Sequence, residues 1–106
     1  MNQFDVHRTT GRTRLAAPYV VIVQSERLAR LPTRVVIPLT SLRGDDFAAD
    51  VAPVSQIEGK QVRLIPWQIF TISVTALGPL VASLANDRDC APIIRAIDAL
   101  ISQTWH

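Results

Sequence analysis

Phe70-Thr71-Ile72-Ser73-Val74-Thr75-Ala76-Leu77-Gly78-Pro79 is where the reading of the fold turns. Up to Ala76 the residues alternate with period two, Phe70, Ile72, Val74 and Ala76 on one side and Thr71, Ser73 and Thr75 on the other. This predicts a strand with one apolar and one hydroxyl face. After Gly78-Pro79 the period changes. Leu80, Val81 and Leu84 suit one or two helical turns. Asp87 to Asp89 supplies cap residues, and Pro92 suits the first turn of a second helix. Ile93, Ile97, Leu100, Ile101 and Thr104 then fall on one helical stripe.

Everything before this stretch reads as β-structure. Val54-Ser55-Gln56-Ile57 and Gln61-Val62-Arg63-Leu64-Ile65 flank Glu58-Gly59-Lys60, the pattern of a hairpin. Arg34-Val35-Val36-Ile37 predicts a strand that Pro38 ends or places at an edge. Tyr19-Val20-Val21-Ile22-Val23-Gln24 reads as a well-buried strand, and Phe4 to Arg8 as an alternating one. Thr9 to Arg14, Ser25 to Thr33 and Ser41 to Asp50 read as polar connectors. Five or six short strands followed by a helix make the chain mainly β with a C-terminal helix, either α+β or a small barrel capped by that helix.

The whole chain, residues 1–106, reads as a single domain. Hydrophobic residues make up 48% and charged residues 19% of it, which excludes intrinsic disorder. Apolar runs such as Tyr19 to Val23 are far shorter than the roughly 20 residues that cross a bilayer. The opening residues carry no apolar leader, and the single cysteine, Cys90, leaves no internal disulfide. A cytoplasmic protein without membrane contact is the expectation.

The net charge is only +2, but it is unevenly spread. Residues 1–43 carry seven arginines against Asp5 and Glu26, a net of +5. Residues 44–106 carry four cations against seven acids, a net of −3. Arginine's planar fork suits carboxylates and phosphates, so the first half suits an acidic protein segment or nucleic acid. Catalytic signatures are missing. The glycines are isolated, and His7 and His106 sit at opposite ends. Cys90 lies among residues that suit capping, so no metal or cofactor is expected. His7, on the polar side of its strand, reads as a surface histidine. Trp67, beside Pro66, reads as a core or dimer contact. Trp105 closes the chain after the helix stripe, either covering the core or exposed.

Several segments, in order, resemble the CcdB family of type II toxin–antitoxin toxins. They are Gln3-Phe4-Asp5-Val6, Val23-Gln24-Ser25 with Arg34-Val35-Val36-Ile37-Pro38-Leu39, Pro53-Val54 before the hairpin, Ile72 to Gly78, and Ile94-Arg95-Ala96-Ile97-Asp98. The resemblance implies an SH3-like small β-barrel (CcdB/PemK-like) with a C-terminal helix, acting as a homodimer without catalysis. It implies binding to the A subunit of DNA gyrase, and neutralisation by an antitoxin through an acidic disordered C-terminal segment. Repression of its own operon, with operator DNA reached only through the antitoxin, and a role in plasmid maintenance are implied as well.

Carried onto this chain, the gyrase-binding positions are Arg27 and Leu28 after the first buried strand, and Asp98, Ile101, Ser102 and Trp105 at the end of the helix. Arg8, Arg12, Arg14 and Arg43 are the expected contacts for the acidic antitoxin. The best-known members end Trp-Gly-Ile, whereas this chain ends Trp105-His106, and charged Arg27 and Asp98 stand where those members have isoleucine and asparagine. Two alternatives stay open on that account: an endoribonuclease toxin of the related PemK/MazF-like fold, or a degenerate member that binds antitoxin without poisoning gyrase.

Overall fold

A nine-residue strand organises the molecule. The computed structural model describes residues 1–11, 17–41 and 51–102. Its strands are β1 (Asp5–Arg8), β2 (Tyr19–Ile22), β3 (Thr33–Ser41), β4 (Val54–Ile57), β5 (Lys60–Leu64), β6 (Phe70–Ser73) and β7 (Leu80–Ser83), followed by helix α1 (Asp87–Ile101). All pair antiparallel in one seven-stranded sheet, ordered β4-β5-β3-β2-β1-β7, with β6 also on β3. The architecture is a mainly β half-barrel with a C-terminal helix, the fold class expected from the sequence.

The strand β2 is buried on both faces, as its run of β-branched residues predicts. Tyr19 and Val21 join Val6, Ile37, Leu39, Val62 and Leu64 in the main core, which Ile93 and Ala96 of α1 close. On the reverse face Val20, Ile22 and Val36 form a second cluster, covered by Ile72 and Leu77. Asn86 caps the start of the helix, its side-chain oxygen accepting from the Asp89 N–H at 3.0 Å.

Five local expectations are corrected. Pro38 does not end its strand: it lies buried inside β3, paired with Val20. There β3 changes partner, pairing with β6 over Thr33 to Val36 and with β5 over Leu39 to Ser41. The Pro38 carbonyl accepts from Ile65 N–H at 3.1 Å, so its missing N–H faces the fork, where no ladder bond is lost. Leu80 to Ser83 is a strand rather than a helical turn, because it completes the open side of β1. The alternating run from Phe70 stops at Ser73, whose hydroxyl accepts from the Thr75 N–H and caps a 3-10 turn over Val74–Ala76. Pro92 lies inside α1, not at its start. Finally, His7 is buried, and its Nδ1–H donates to the Gly78 carbonyl at 2.9 Å.

Two glycines are required by geometry. Glu58 and Gly59 have φ of 51° and 76°, which makes the hairpin loop a two-residue turn, with Lys60 already in β5. At Gly78 an added Cβ would lie 2.3 Å from the Arg8 carbonyl oxygen, against which Gly78 also donates its N–H. Gly78→Ala therefore forces β7 away from β1. We expect a loss of about 1–3 kcal/mol in a chemical-denaturation experiment, the usual cost of an overpacked site; an unchanged midpoint would show that the two strands yield freely.

Candidate protein-contact surface

The connector between β2 and β3 is built outward from two buried polar side chains. Its Ser25 hydroxyl accepts from Arg27 N–H at 3.2 Å and starts a 3-10 turn over Glu26–Leu28. Leu28, Ala29 and Leu31 donate their N–H groups to Ser25, Glu26 and Leu28 carbonyls, all within the connector. The inward carbonyls are taken by Gln24 and Arg34. The Gln24 amide donates to Leu28 and Thr33 carbonyls at 3.2 Å each, and its oxygen accepts from Val35 N–H at 3.1 Å. Arg34 donates from Nη1 to Leu31 and Thr33 carbonyls at 2.7 and 2.8 Å, and from Nη2 to the Ala29 carbonyl at 3.1 Å. Its Nε reaches the Met1 carbonyl at 3.4 Å.

This arrangement leaves Arg27, Leu28, Arg30 and Leu31 facing outward, with Leu28 51% and Leu31 48% exposed. The connector thus alternates cations with large apolar side chains. Isolated exposed leucines are ordinary, but two on one short braced segment suit a protein contact. The sequence-derived positions Arg27 and Leu28 are both here. Arg34, counted with the basic half of the chain, instead turns inward. Both it and Gln24 stand in segments that carry the family resemblance, but neither was given a role from the sequence, because buried arginine is rare and its partners here are backbone carbonyls.

The second group sits at the end of α1. Ile101 is 77% exposed, Asp98 is exposed, and the Asp98 carbonyl accepts from Ser102 N–H at 2.8 Å. The helix stripe is therefore apolar inward only over Cys90, Ile93, Ala96 and Ile97, and Leu100 and Ile101 leave it. Nearby, Val51, Pro66, Trp67, Ala96, Ala99 and Leu100 line a shallow cavity of about 200 Å³. Trp67 is 45% exposed there rather than enclosed in the core. The fold places Asp98, Ile101 and Ser102 on one helix end and Arg27 and Leu28 on the connector, two separate elements. Trp105, Arg12, Arg14 and Arg43 lie outside the described residues.

Arg8, the remaining candidate for an acidic partner, already holds one. Its Nη2 lies 2.5 Å and its Nε 3.3 Å from the Glu58 carboxylate, which also accepts from the Tyr19 hydroxyl at 2.8 Å. These bonds steady Glu58 in a left-handed conformation that only a few non-glycine residues adopt. The hydrogen bonds from Arg8 and then Tyr19 hold the Glu58 carboxyl below the usual carboxylate range. That makes it a weak proton acceptor, so the cluster joins β1 and β2 to the hairpin better than it serves as an acid–base pair. Among the described residues no group of His, Cys, Asp and Glu could hold a metal ion, and no helix is long and apolar enough to cross a membrane.

A family model described as CcdB protein matches residues 3–102. No curated protein matches the chain. Among solved structures, an endoribonuclease in complex with its cognate antitoxin, from a Mycobacterial species, is similar with a TM-score of 0.79 and 16% identity, over 100% of this chain and 99% of that one. An endoribonuclease from a Mycobacterial species gives a TM-score of 0.75 and 17% identity, over 100% and 95%. At such identities the likeness establishes a shared fold.

A pH dependence follows from Glu58. Its lowered pKa means that the ion pair stabilises the fold above the unfolded carboxylate's pKa and stops doing so as pH falls through the folded value. The expected result is a lower melting temperature for Glu58→Gln than for the parent protein at pH 7, a gap that closes below the ordinary carboxylate range. A gap independent of pH would remove the ion pair from the explanation.

Proposed function

The chain belongs to the CcdB family, and we propose on that footing that it is the toxin of a type II toxin–antitoxin system that inhibits DNA gyrase by binding its A subunit. The observation that carries this reading is the braced connector, with Leu28 and Leu31 outward between Arg27 and Arg30. A protein inhibitor needs exposed anchors on a rigid support, and desolvated leucine and arginine side chains supply contact energy. Ile101, Asp98 and Ser102 at the helix end form the second contact, continued by Trp105. The protein works as a cytoplasmic homodimer and needs no cofactor.

In the same reading an acidic, disordered antitoxin segment neutralises the toxin and brings the complex to operator DNA. Arg12, Arg14 and Arg43 meet that segment, and Arg8 joins them by exchanging the Glu58 carboxylate for one of the partner's. Binding of this kind weakens as salt is raised.

Purified gyrase tests the proposal. Supercoiling should fall and linear DNA accumulate as the protein is added. Leu28→Asp and Ile101→Asp change exposed positions. Each should weaken inhibition by about tenfold or more while leaving the thermal transition in place. Supercoiling that is indifferent to micromolar protein would overturn the gyrase target.

A second reading has support from the fold. Two solved structures of this shape are described as endoribonucleases. An RNase of this chain would need an acid and a base converging on a phosphate. Cleavage of single-stranded RNA by the pure protein, abolished by Arg8→Ala, would favour it over gyrase binding.

A further inference from the structure

We propose that Arg34 is a positioning residue: its guanidinium, with the Gln24 amide, fixes the connector that carries Arg27, Leu28, Arg30 and Leu31, and so sets the affinity for the target without touching it. The inference rests on the reading above that this connector meets the target.

Arg34 is only 8% exposed, and among the described residues its side-chain hydrogen bonds all go to backbone carbonyls, those of Ala29, Leu31, Thr33 and Met1. A cation taken out of water is costly unless its donors are met, and here carbonyl dipoles meet them. The consequence runs in both directions. Among the described residues the guanidinium's hydrogen-bond acceptors are these carbonyl oxygens. The Ala29 and Leu31 carbonyls of the connector, in turn, are held inward by the guanidinium. Gln24, equally buried, takes the Leu28 and Thr33 carbonyls and anchors the same segment to Val35 of β3. Thr33 is thus shared between both side chains, which makes them one unit.

The shape of the donor matters. Carbonyls of Ala29, Leu31 and Met1 are reached from three different nitrogens of one planar group. A lysine ammonium is a single point and cannot reach all three. A braced connector presents its leucines in one geometry, so less freedom is lost when a partner binds. A loose one binds the same partner more weakly through the same residues.

The test compares wild type, Arg34→Lys and Gln24→Leu. Amide hydrogen exchange is read first, at Leu28, Ala29 and Leu31 against Val21 and Ile37 of the core. In Arg34→Lys the three connector amides should exchange about tenfold faster with the core amides unchanged. Gln24→Leu should do the same at Leu28. Equal acceleration everywhere, or none in the connector, overturns the proposal.

Binding to the gyrase A subunit is read second, as a double-mutant cycle with Leu28→Ala. Arg34→Lys should weaken binding about tenfold, and Leu28→Ala should then cost little more, because the leucine is no longer held in place. Additive losses would overturn the positioning role. If the wild-type protein binds no gyrase at all, the proposed target fails, and the exchange pattern alone decides whether Arg34 braces the connector.

Discussion

The structure depends on a strand pair that is buried on both faces. With Val20 and Ile22 packed behind and Tyr19 and Val21 in front, β2 leaves no side open to water. The chain that returns from β2 to β3 is itself exposed, but several of its carbonyls turn toward the protein and meet buried donors there. Gln24 and Arg34 provide them. Several of the connector's carbonyls are thereby turned inward, while its leucines stay outward beside Arg27 and Arg30.

The second organising feature is the fork in β3 at Pro38. A proline in a central strand costs a ladder bond unless its nitrogen faces a gap, and the change of partner from β6 to β5 supplies that gap. One arm, β6 and the turn after it, covers the reverse face through Ile72 and Leu77. The other, the β4–β5 hairpin, adds Ile57, Val62 and Leu64 to the main core beneath α1. Arg8, Tyr19 and Glu58 then tie the hairpin turn back to β1 and β2. The helix rests on the turn at Pro66–Gln68, so its exposed end lies beside Trp67.

Where single segments carry their own pattern, the sequence was easy to read. The run at Tyr19, the turn at Glu58-Gly59 and the stripe at Ile93 and Ile97 each declare their structure locally. What stayed hidden depends on distant partners. Leu80 to Ser83 follows Gly78-Pro79, a helix-start signal, and becomes a strand only because β1 needs a neighbour. Pro38 looks like a terminator until the fork is known. His7 alternates as a surface residue would, yet the Gly78 carbonyl and β7 cover it. Of the candidate positions, Arg27, Leu28 and Ile101 were taken from the family resemblance, and the fold leaves their side chains exposed. Gln24 and Arg34, which shape the connector, stood in the segments that resemble the family, but their inward role stayed hidden because their partners are backbone carbonyls and these have no sequence identity.

The chain belongs to the CcdB family, and the proposed inhibition by contact places the target on the connector and the helix end. A hydrogen-exchange footprint of the protein with the gyrase A subunit addresses this directly. The account predicts slowed exchange in residues 26–31 and at the end of the helix, with the hairpin turn at Glu58 unchanged. Protection centred on the hairpin, or no protection anywhere at saturating subunit, would contradict it.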